Sequence, residues 1–579
     1  MQWFNGSRIR VAMFTMVVGA LAGGGSARAD FTFDRPTNLG ASDKEVGPFI
    51  NLNCSNEYSP CVSADGLELY FTSTRTGKTG CVFGDWNLWV SRRATKDDAW
   101  GPPESLGERV NSPESDGAPC LSPDGLELYF QSDRPGSVGE GDIWVVRRAA
   151  KDAPWGEPEN LGPPVNSLTW DFNPCLSSDG LEMYMAFDAG GSQFQPKLAV
   201  TRRPAKDAPW EAPMVLGPVV NSWPCQDTPW ISTDGLVLFF SDYWGCPRPG
   251  GYGDRDLWFS RRATKESEWG PPVNLGPQVN TAWGELFPMI SADGRTLYFS
   301  SNRCGGSGWG NYDLWQARIV PVVDFDEDGE VGMTDLLTMI GAWGTDNPLC
   351  DIGPTPWGDG VVDAADLEVL MEHWQQATSD PPELLAHWTL DEAEGMVAYD
   401  SVGTNDANLI GDPVWQPLDG IVDGAIELDG VGDGIETGFV VDAQNSPFSV
   451  FAWVKGGASG QIIISQASGA NWLLADPFEG NLITDLVGPP GIGGSGLRSA
   501  TPITDGQWHR VGLTWDGFGG RTLYVDDVEV AHDTMTKACL KWSNTQGGLH
   551  IGAPNRLHFP GYWSGLIDDV QIYKGVVKP

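Results

Sequence analysis

The chain of 579 residues carries 36 Lys+Arg against 77 Asp+Glu, a net charge of −41, with 27 Trp and 74 Gly. At roughly 100–200 residues per domain it is too long for one core. So acidic a surface repels phosphate backbones, which excludes nucleic acid, and 41% hydrophobic residues exclude a disordered polyanion.

Arg8 and Arg10 precede an apolar run, Val11 to Ala22, and Ala27-Arg28-Ala29 reads as a cleavage site. Residues 1–29 are therefore expected to be a signal peptide, and the protein to be secreted, periplasmic or displayed at the cell surface. The run is too short to span a bilayer comfortably. No later stretch reaches 18 continuous apolar residues, so no membrane insertion is expected after cleavage. Removing the segment's three arginines leaves 33 basic against 77 acidic residues, a net −44. Ten cysteines suit an oxidising compartment, with Cys54–Cys81 and Cys225–Cys246 as possible bridges.

Residues 30–320 are dominated by an internal repeat. Its clearest phrase is Ser63-Ala64-Asp65-Gly66-Leu67-Glu68-Leu69-Tyr70-Phe71, which returns around Asp124-Gly125, Asp179-Gly180, Asp234-Gly235 and Asp293-Gly294. Asp-Gly between alternating apolar residues signals a tight hairpin, because glycine accepts the positive φ the turn needs. A further strand follows each hairpin, as in Asn87-Leu88-Trp89 and Asp142-Ile143-Trp144, although the third unit has Ala199 in the Trp position. Four units continue through Trp100, Trp155, Trp210 and Trp269 to a Leu-Gly. Four short strands in a repeat of this length predict a propeller blade.

The fifth unit stops after Arg318, and its missing piece stands near the N-terminus. Phe33-Asp34-Arg35-Pro36-Thr37-Asn38-Leu39-Gly40 matches Trp269-Gly270-Pro271-Pro272-Val273-Asn274-Leu275-Gly276 in kind. The N-terminal strand is thus expected to complete the last of five blades and remove the open sheet edges. The phrase from Ser122 to Arg134, followed by Asp142-Ile143-Trp144, resembles the TolB-type, WD-like propeller repeats. That resemblance implies a scaffold shared by binding proteins and enzymes and leaves the activity open.

Acidic residues stand three before a proline in four units: Glu57, Asp116, Asp171 and Glu285, while the fourth unit has Gln226 followed by Asp227. Two readings follow. Glu57, Asp116, Asp171, Asp227 and Glu285 converge on the channel as a ligand site, or each carboxylate caps its own blade turn, as repeat-wise retention suggests. Cys61, Cys120 and Cys175 share a position taken elsewhere by Trp230 and Met289, which predicts buried core thiols. All six histidines lie beyond the propeller, so Ser-His-Asp, Cys-His and His-zinc chemistry are excluded within it. Carboxylate-pair hydrolysis of a glycoside is the catalytic option that survives.

Residues 321–377 contain 13 Asp+Glu and no Lys or Arg. Asp324, Asp326, Asp328 and Asp335 fill positions 1, 3, 5 and 12 of an EF-hand-like calcium loop, with Glu330 as the carbonyl ligand. A helix is expected from Leu336 to Trp343, with Leu336, Leu337, Ile340 and Trp343 on its apolar face. A second copy holds Asp359, Asp363 and Asp366, then Leu367, Leu370, Met371 and Trp374. Paired loop–helix units with Asp at position 12 resemble a dockerin, which implies calcium at both loops and a cohesin-like partner. The second loop departs from that pattern, with Thr355 and Trp357 in ligand positions and Asp351 as a possible substitute.

After the linker 378–383, residues 384–579 alternate strands with Gly-rich turns, which predicts a two-sheet antiparallel sandwich, or jelly roll. Ala425 to Asp433, Phe448 to Val454, Asp505 to Val511 and Gly565 to Tyr573 together resemble the laminin-G-like, concanavalin-A-like family. That resemblance implies recognition of glycans or extracellular proteins, often beside calcium. Asp568-Asp569 is expected to cap a turn, and His509 to be structural.

The sequence therefore reads as a mostly β, exported, modular and non-catalytic binding protein. Its expected cofactor is calcium and its expected partner an extracellular glycan or protein, bound with avidity through linked sites. A glycoside hydrolase using channel carboxylates and a dockerin-tagged component of a larger assembly are the alternatives.

Overall fold

The computed structural model describes residues 31–40, 50–52, 55–75, 85–188, 194–243, 245–303, 312–326, 331–347, 349–374, 382–438, 440–441, 447–466, 471–486, 496–516, 520–534, 548–554 and 561–579. The expected signal peptide, the pair Cys54–Cys81, most of the linker and two loop residues, Asp328 and Glu330, lie outside the described residues.

Five antiparallel sheets form the propeller. In the first blade Glu57–Val62, Glu68–Ser73, Asn87–Arg92 and Glu104–Ser105 run from the axis outward. Each Ser-x-Asp-Gly turn is built alike. Ser63 Oγ donates to Asp65 Oδ1 at 2.6 Å, that oxygen accepts the Leu67 amide, and Gly66 takes φ +77°. A side chain there meets both strain and the neighbouring Lys96.

The N-terminal segment closes the ring as the sequence predicts. Asn38 pairs with Trp315 in the fifth blade, as Asn274 pairs with Trp258 in the fourth, and Phe31–Phe33 extends the pairing along Ile319–Pro321. Neighbouring blades are stitched by repeated side chains. Cys61, Cys120 and Cys175 are buried thiols whose sulfurs accept the amides of Leu121, Leu176 and Ile231 in the next blade. Lys151, Lys206 and Lys96 reach Asp65, Asp124 and Asp293 of the preceding hairpin.

The fifth unit ends before it can supply such a lysine, and Trp357 takes the empty place. Its indole N–H donates to Asp234 at 2.8 Å and its ring packs edge-on to Phe239. That ring also covers Gly294, as each repeat lysine covers the glycine of its own hairpin. A residue of the second loop thus latches the seam between the fourth and fifth blades.

Trp357 belongs to a small helical connector. α1 (Met333–Gly341) and α2 (Ala364–Glu372) pack Met339 and Leu370 against Val323, Val331, Ile352 and Val362. The expected apolar face of α1 is corrected here. Leu336 packs inward, whereas Met333, Leu337, Ile340 and Trp343 form an exposed stripe at spacings of four, three and three.

The C-terminal domain is a sandwich of two eight-stranded sheets. Glu383–Trp388 pairs with Ser564–Lys574, so the domain's first and last strands lie side by side. Trp388, Trp472 and Trp563 are fully buried between the sheets. Among the described residues no helix is long and apolar enough to cross a membrane.

Candidate functional site at the channel mouth

The retained carboxylates turn out to be structural. Glu57 is fully buried, bonds Ser73 and pairs with Arg75 at 3.0 Å. Asp116 accepts from Ser112 and pairs with Arg134, Asp171 accepts the Ser167 amide and hydroxyl, and Glu285 accepts from Thr281 and Ser301. Gln226 repeats the pattern by donating to the Trp223 carbonyl. Burial pushes Asp171 up to about 6, and Glu57 up to about 7 despite Arg75. Each of these groups caps its own blade and none presents a free oxygen array to the axis.

The channel itself is closed. The innermost strands each carry a bulge at Ser59, Ala118, Asn173, Thr228 or Phe287, where φ lies between 49 and 54°. Five prolines follow those residues, and the space left at the axis is only about 30 Å3. Trp230, in the position of the core cysteines, packs against four of the propeller's five cores and plugs the bore. The axis is therefore no pore, and the end of it at which the innermost strands begin is referred to as the cup.

Residues where the repeat breaks its own pattern stand at that end. Tyr58, Gly117, Phe172, Asp227 and Leu286 occupy one equivalent position, and Trp86, Gly141, Gln195, Arg255 and Tyr312 another. Tyr58 lies 5.4 Å from Trp86, 6.0 Å from Phe287 and 5.0 Å from Tyr312, making one aromatic wall. Phe172 stacks on Phe194 at 5.8 Å and Phe194 meets Tyr243 at 5.1 Å, making a second.

Asp227, Asn173 and Arg255 belong to this polar centre. The origin of Asp227 is local. In the first three blades the bulge amide is bonded by the preceding blade, through Ser300, Thr72 and Gln131. The third blade offers Ala186 at that position, so the Thr228 amide turns instead to Asp227 Oδ1 at 2.7 Å. Asn173 donates to the same oxygen. Burial raises this carboxyl to about 6, against the pull of those two donors and of Arg255. Of the five sequence-predicted channel acids, Asp227 alone joins the cup.

Arg255, Asn173 and both aromatic walls were missed by sequence reasoning, which followed what the repeat keeps. The signal available was the opposite one, namely equivalent positions whose chemistry changes from blade to blade.

In the connector, Asp324, Asp326 and Asp335 each bring an oxygen within 4.8 Å of the others. Asp335 also accepts the Phe325 and Gly332 amides, which shapes the loop around that point. This donor set suits a hard cation such as calcium. The second loop is used differently. Asp351 accepts the Asp359 and Gly360 amides, Asp366 those of Ile352, Gly353 and Asp363, and Asp363 caps α2. Among the described residues these carboxylates do not gather around a common point.

In the sandwich, Asp568 accepts the Ile421 and Val422 amides, and His509 is held between Asp505 and Asp526, both in the roles expected. On the outer face of one sheet His387 bonds Asp569 at 2.6 Å, Gln571 donates to Asp569, and Tyr573 donates to Gln571. Arg510 lies over Phe451 beside them. Cys225 and Cys246, offered as a possible bridge, are free thiols that lie against each other.

Comparison with known proteins adds the following. Residues 429–579 match the concanavalin A-like lectin/glucanases superfamily. No curated protein matches the chain. Among solved structures, domain 4 of AbnA, an extracellular arabinanase from Geobacillus stearothermophilus, is similar at 21% identity over 34% of this chain and 94% of that one, with a TM-score of 0.24. Trypanosoma rangeli sialidase is similar at 13% identity over 94% and 96%, with a TM-score of 0.29. TolB from Acinetobacter baumannii is similar at 15% identity over 45% and 54%, with a TM-score of 0.28. At such scores the chemistry of the cup rests on its own residues.

Proposed function

We propose that this protein is an exported carbohydrate-binding protein, with one sugar site in the propeller cup and a second in the C-terminal sandwich. The observation that carries the reading is the cup itself: a closed axis, two aromatic walls, and a polar centre of Asp227, Asn173 and Arg255. Sugars present apolar faces that lie on aromatic rings and hydroxyls that need fixed polar partners. The concanavalin-A-like domain supports the same class of ligand. The full chain is expected to retain on immobilised glycans, and Tyr58→Ala or Trp86→Ala to weaken the interaction at the cup. Retention unchanged in both variants would remove the cup from the proposal.

A hydrolytic reading is favoured by one observation, the carboxyl of Asp227 held at about 6 and thus able to donate a proton near neutrality. It lacks a partner, because glycoside cleavage uses two carboxyl groups flanking the bond. Glu57, Asp116, Asp171 and Glu285 are bound inside their own blades. Release of reducing sugar from a polysaccharide panel, abolished in Asp227→Asn, would establish the enzyme instead.

The connector joins the proposal as a calcium-loaded, dockerin-like segment, with Asp324, Asp326 and Asp335 as ligands, completed by Asp328 and Glu330. The exposed stripe Met333, Leu337, Ile340 and Trp343 is then the surface for a cohesin-like partner. N-terminal sequencing of the exported protein is expected to begin at Asp30.

A further inference from the structure

Resting on the reading of the cup as a sugar site, we infer that its ligand is a carboxylated sugar of the uronic acid class, whose carboxylate is received by Arg255.

Several guanidinium groups of the propeller are closely matched to carboxylates. Arg75 has Glu57 at 3.0 Å, Arg148 has Glu68 at 2.8 Å, Arg203 has Glu127 and Arg303 has Glu285, both at 3.4 Å. Arg255 is not so matched, and Arg248 too keeps buried nitrogens without a hydrogen bond. Its side chain is 22% exposed, its Nε is buried without a partner, and the carboxylate beside it is that of its own neighbour Asp254, 3.8 Å away. No hydrogen bond joins its guanidinium to another described residue. A buried donor left unmade costs stability, so such a group is retained where something else completes it.

The surroundings specify what completes it. Arg255 lies against the ring of Tyr312, 5.5 Å from its centroid, and Gly284 leaves room for both, since a side chain there would collide with the tyrosine hydroxyl. Asp227 is near enough for its charge to be felt, yet it spends Oδ1 on Asn173 and the Thr228 amide. The planar fork therefore keeps donors that no described residue takes, and a guanidinium in that state takes a carboxylate through two parallel bonds. In a chain with 77 acidic residues, a protein carboxylate at this point was one substitution away. The long-range field of a −41 protein opposes an anionic ligand, but physiological salt screens it beyond about 8 Å, so the adjacent guanidinium decides.

The test is calorimetric titration of the full chain with uronate oligosaccharides (galacturonate, mannuronate and glucuronate series) and with the same oligosaccharides after reduction of their carboxyls to primary alcohols. At least one uronate is expected to bind about tenfold or more tightly than its reduced form. Arg255→Gln is expected to erase that ratio, and Arg255→Lys to restore part of it, which separates loss of charge from loss of fold. Equal binding of both forms, abolished by Tyr58→Ala, would keep the sugar site and discard the carboxylate. Absence of binding by any saccharide at the cup would discard both.

Discussion

Gln226 and Asp227 are adjacent, yet they belong to opposite halves of the molecule's logic. Gln226 stands in the ring of Glu57, Asp116, Asp171 and Glu285, where every unit keeps a polar side chain and spends it on its own turn. Asp227 stands one residue on, where no two units agree and the side chains open into the cup. The connector shows the same division. Its first loop gathers three carboxylates, while its second has Thr355 and Trp357 in ligand positions, and Trp357 serves the propeller. In both repeats retention marks structure, and departure marks the residues with a task of their own.

The largest test of that contrast is stability. Asp116→Ala leaves Arg134 buried without its anion and is expected to cost about 3–5 kcal/mol in urea denaturation. Asp227→Ala takes the acceptor from the Thr228 amide and from Asn173 and is expected to cost about 1–2 kcal/mol. Equal losses would erase the distinction.

The latch comes next. Trp357→Ala removes a buried indole and is expected to cost about 3 kcal/mol, with the propeller's own melting lowered. Lys151→Ala, at an equivalent but exposed pair, is expected to cost about 0.5 kcal/mol or less. If the lysine matters as much as the indole, Trp357 is no substitute for a repeat residue.

Calcium sharpens the comparison within the connector. At a hundred times its dissociation constant a bound ion adds about 2.7 kcal/mol. Chelation is expected to lower Tm, and Asp324→Ala to abolish that response. Asp359→Ala is expected to leave it in place, because the second loop's carboxylates do not converge.

A test of another kind is that of pH. Asp171, Asp227 and Asp242 are raised to about 6, and Glu57 and Asp256 to about 7, chiefly by burial. The folded propeller therefore holds protons that the unfolded chain has lost between about pH 4 and 7. Stability should fall as pH rises through that window and level off above it. A melt that rises steadily from pH 5 to 7 would mean these carboxyls are ionised in the fold.

Much of the architecture was legible because one short phrase repeats. Ser-x-Asp-Gly sets a hairpin through local bonds, and the match of Phe33–Gly40 to Trp269–Gly276 implies the closure. The cup was less accessible. Asp227 owes its role to Ala186 in another blade, and Arg255 is defined by bonds it does not make; neither can be seen along a single strand. The inward face of α1 was misjudged for a related reason. Its apolar residues surround more of the helix than a nine-residue element can bury, and periodicity does not say which stripe stays outside.

One consequence of the Trp357 latch is mechanical. Were the ring and the terminal sandwich each to hold a ligand, as proposed above, tension would pass through the segment joining them. The chain leaves the ring at Pro321, but Trp357 is pinned 36 residues further on, across the seam between two blades. Load arriving from the sandwich meets the indole first and is spent sliding a packed ring past Phe239, before it can peel the strand Asp313–Pro321 from its sheet. The latch places a shear joint ahead of a zipper. Pulled from its two ends, the molecule should open the ring at lower force once Trp357 is alanine.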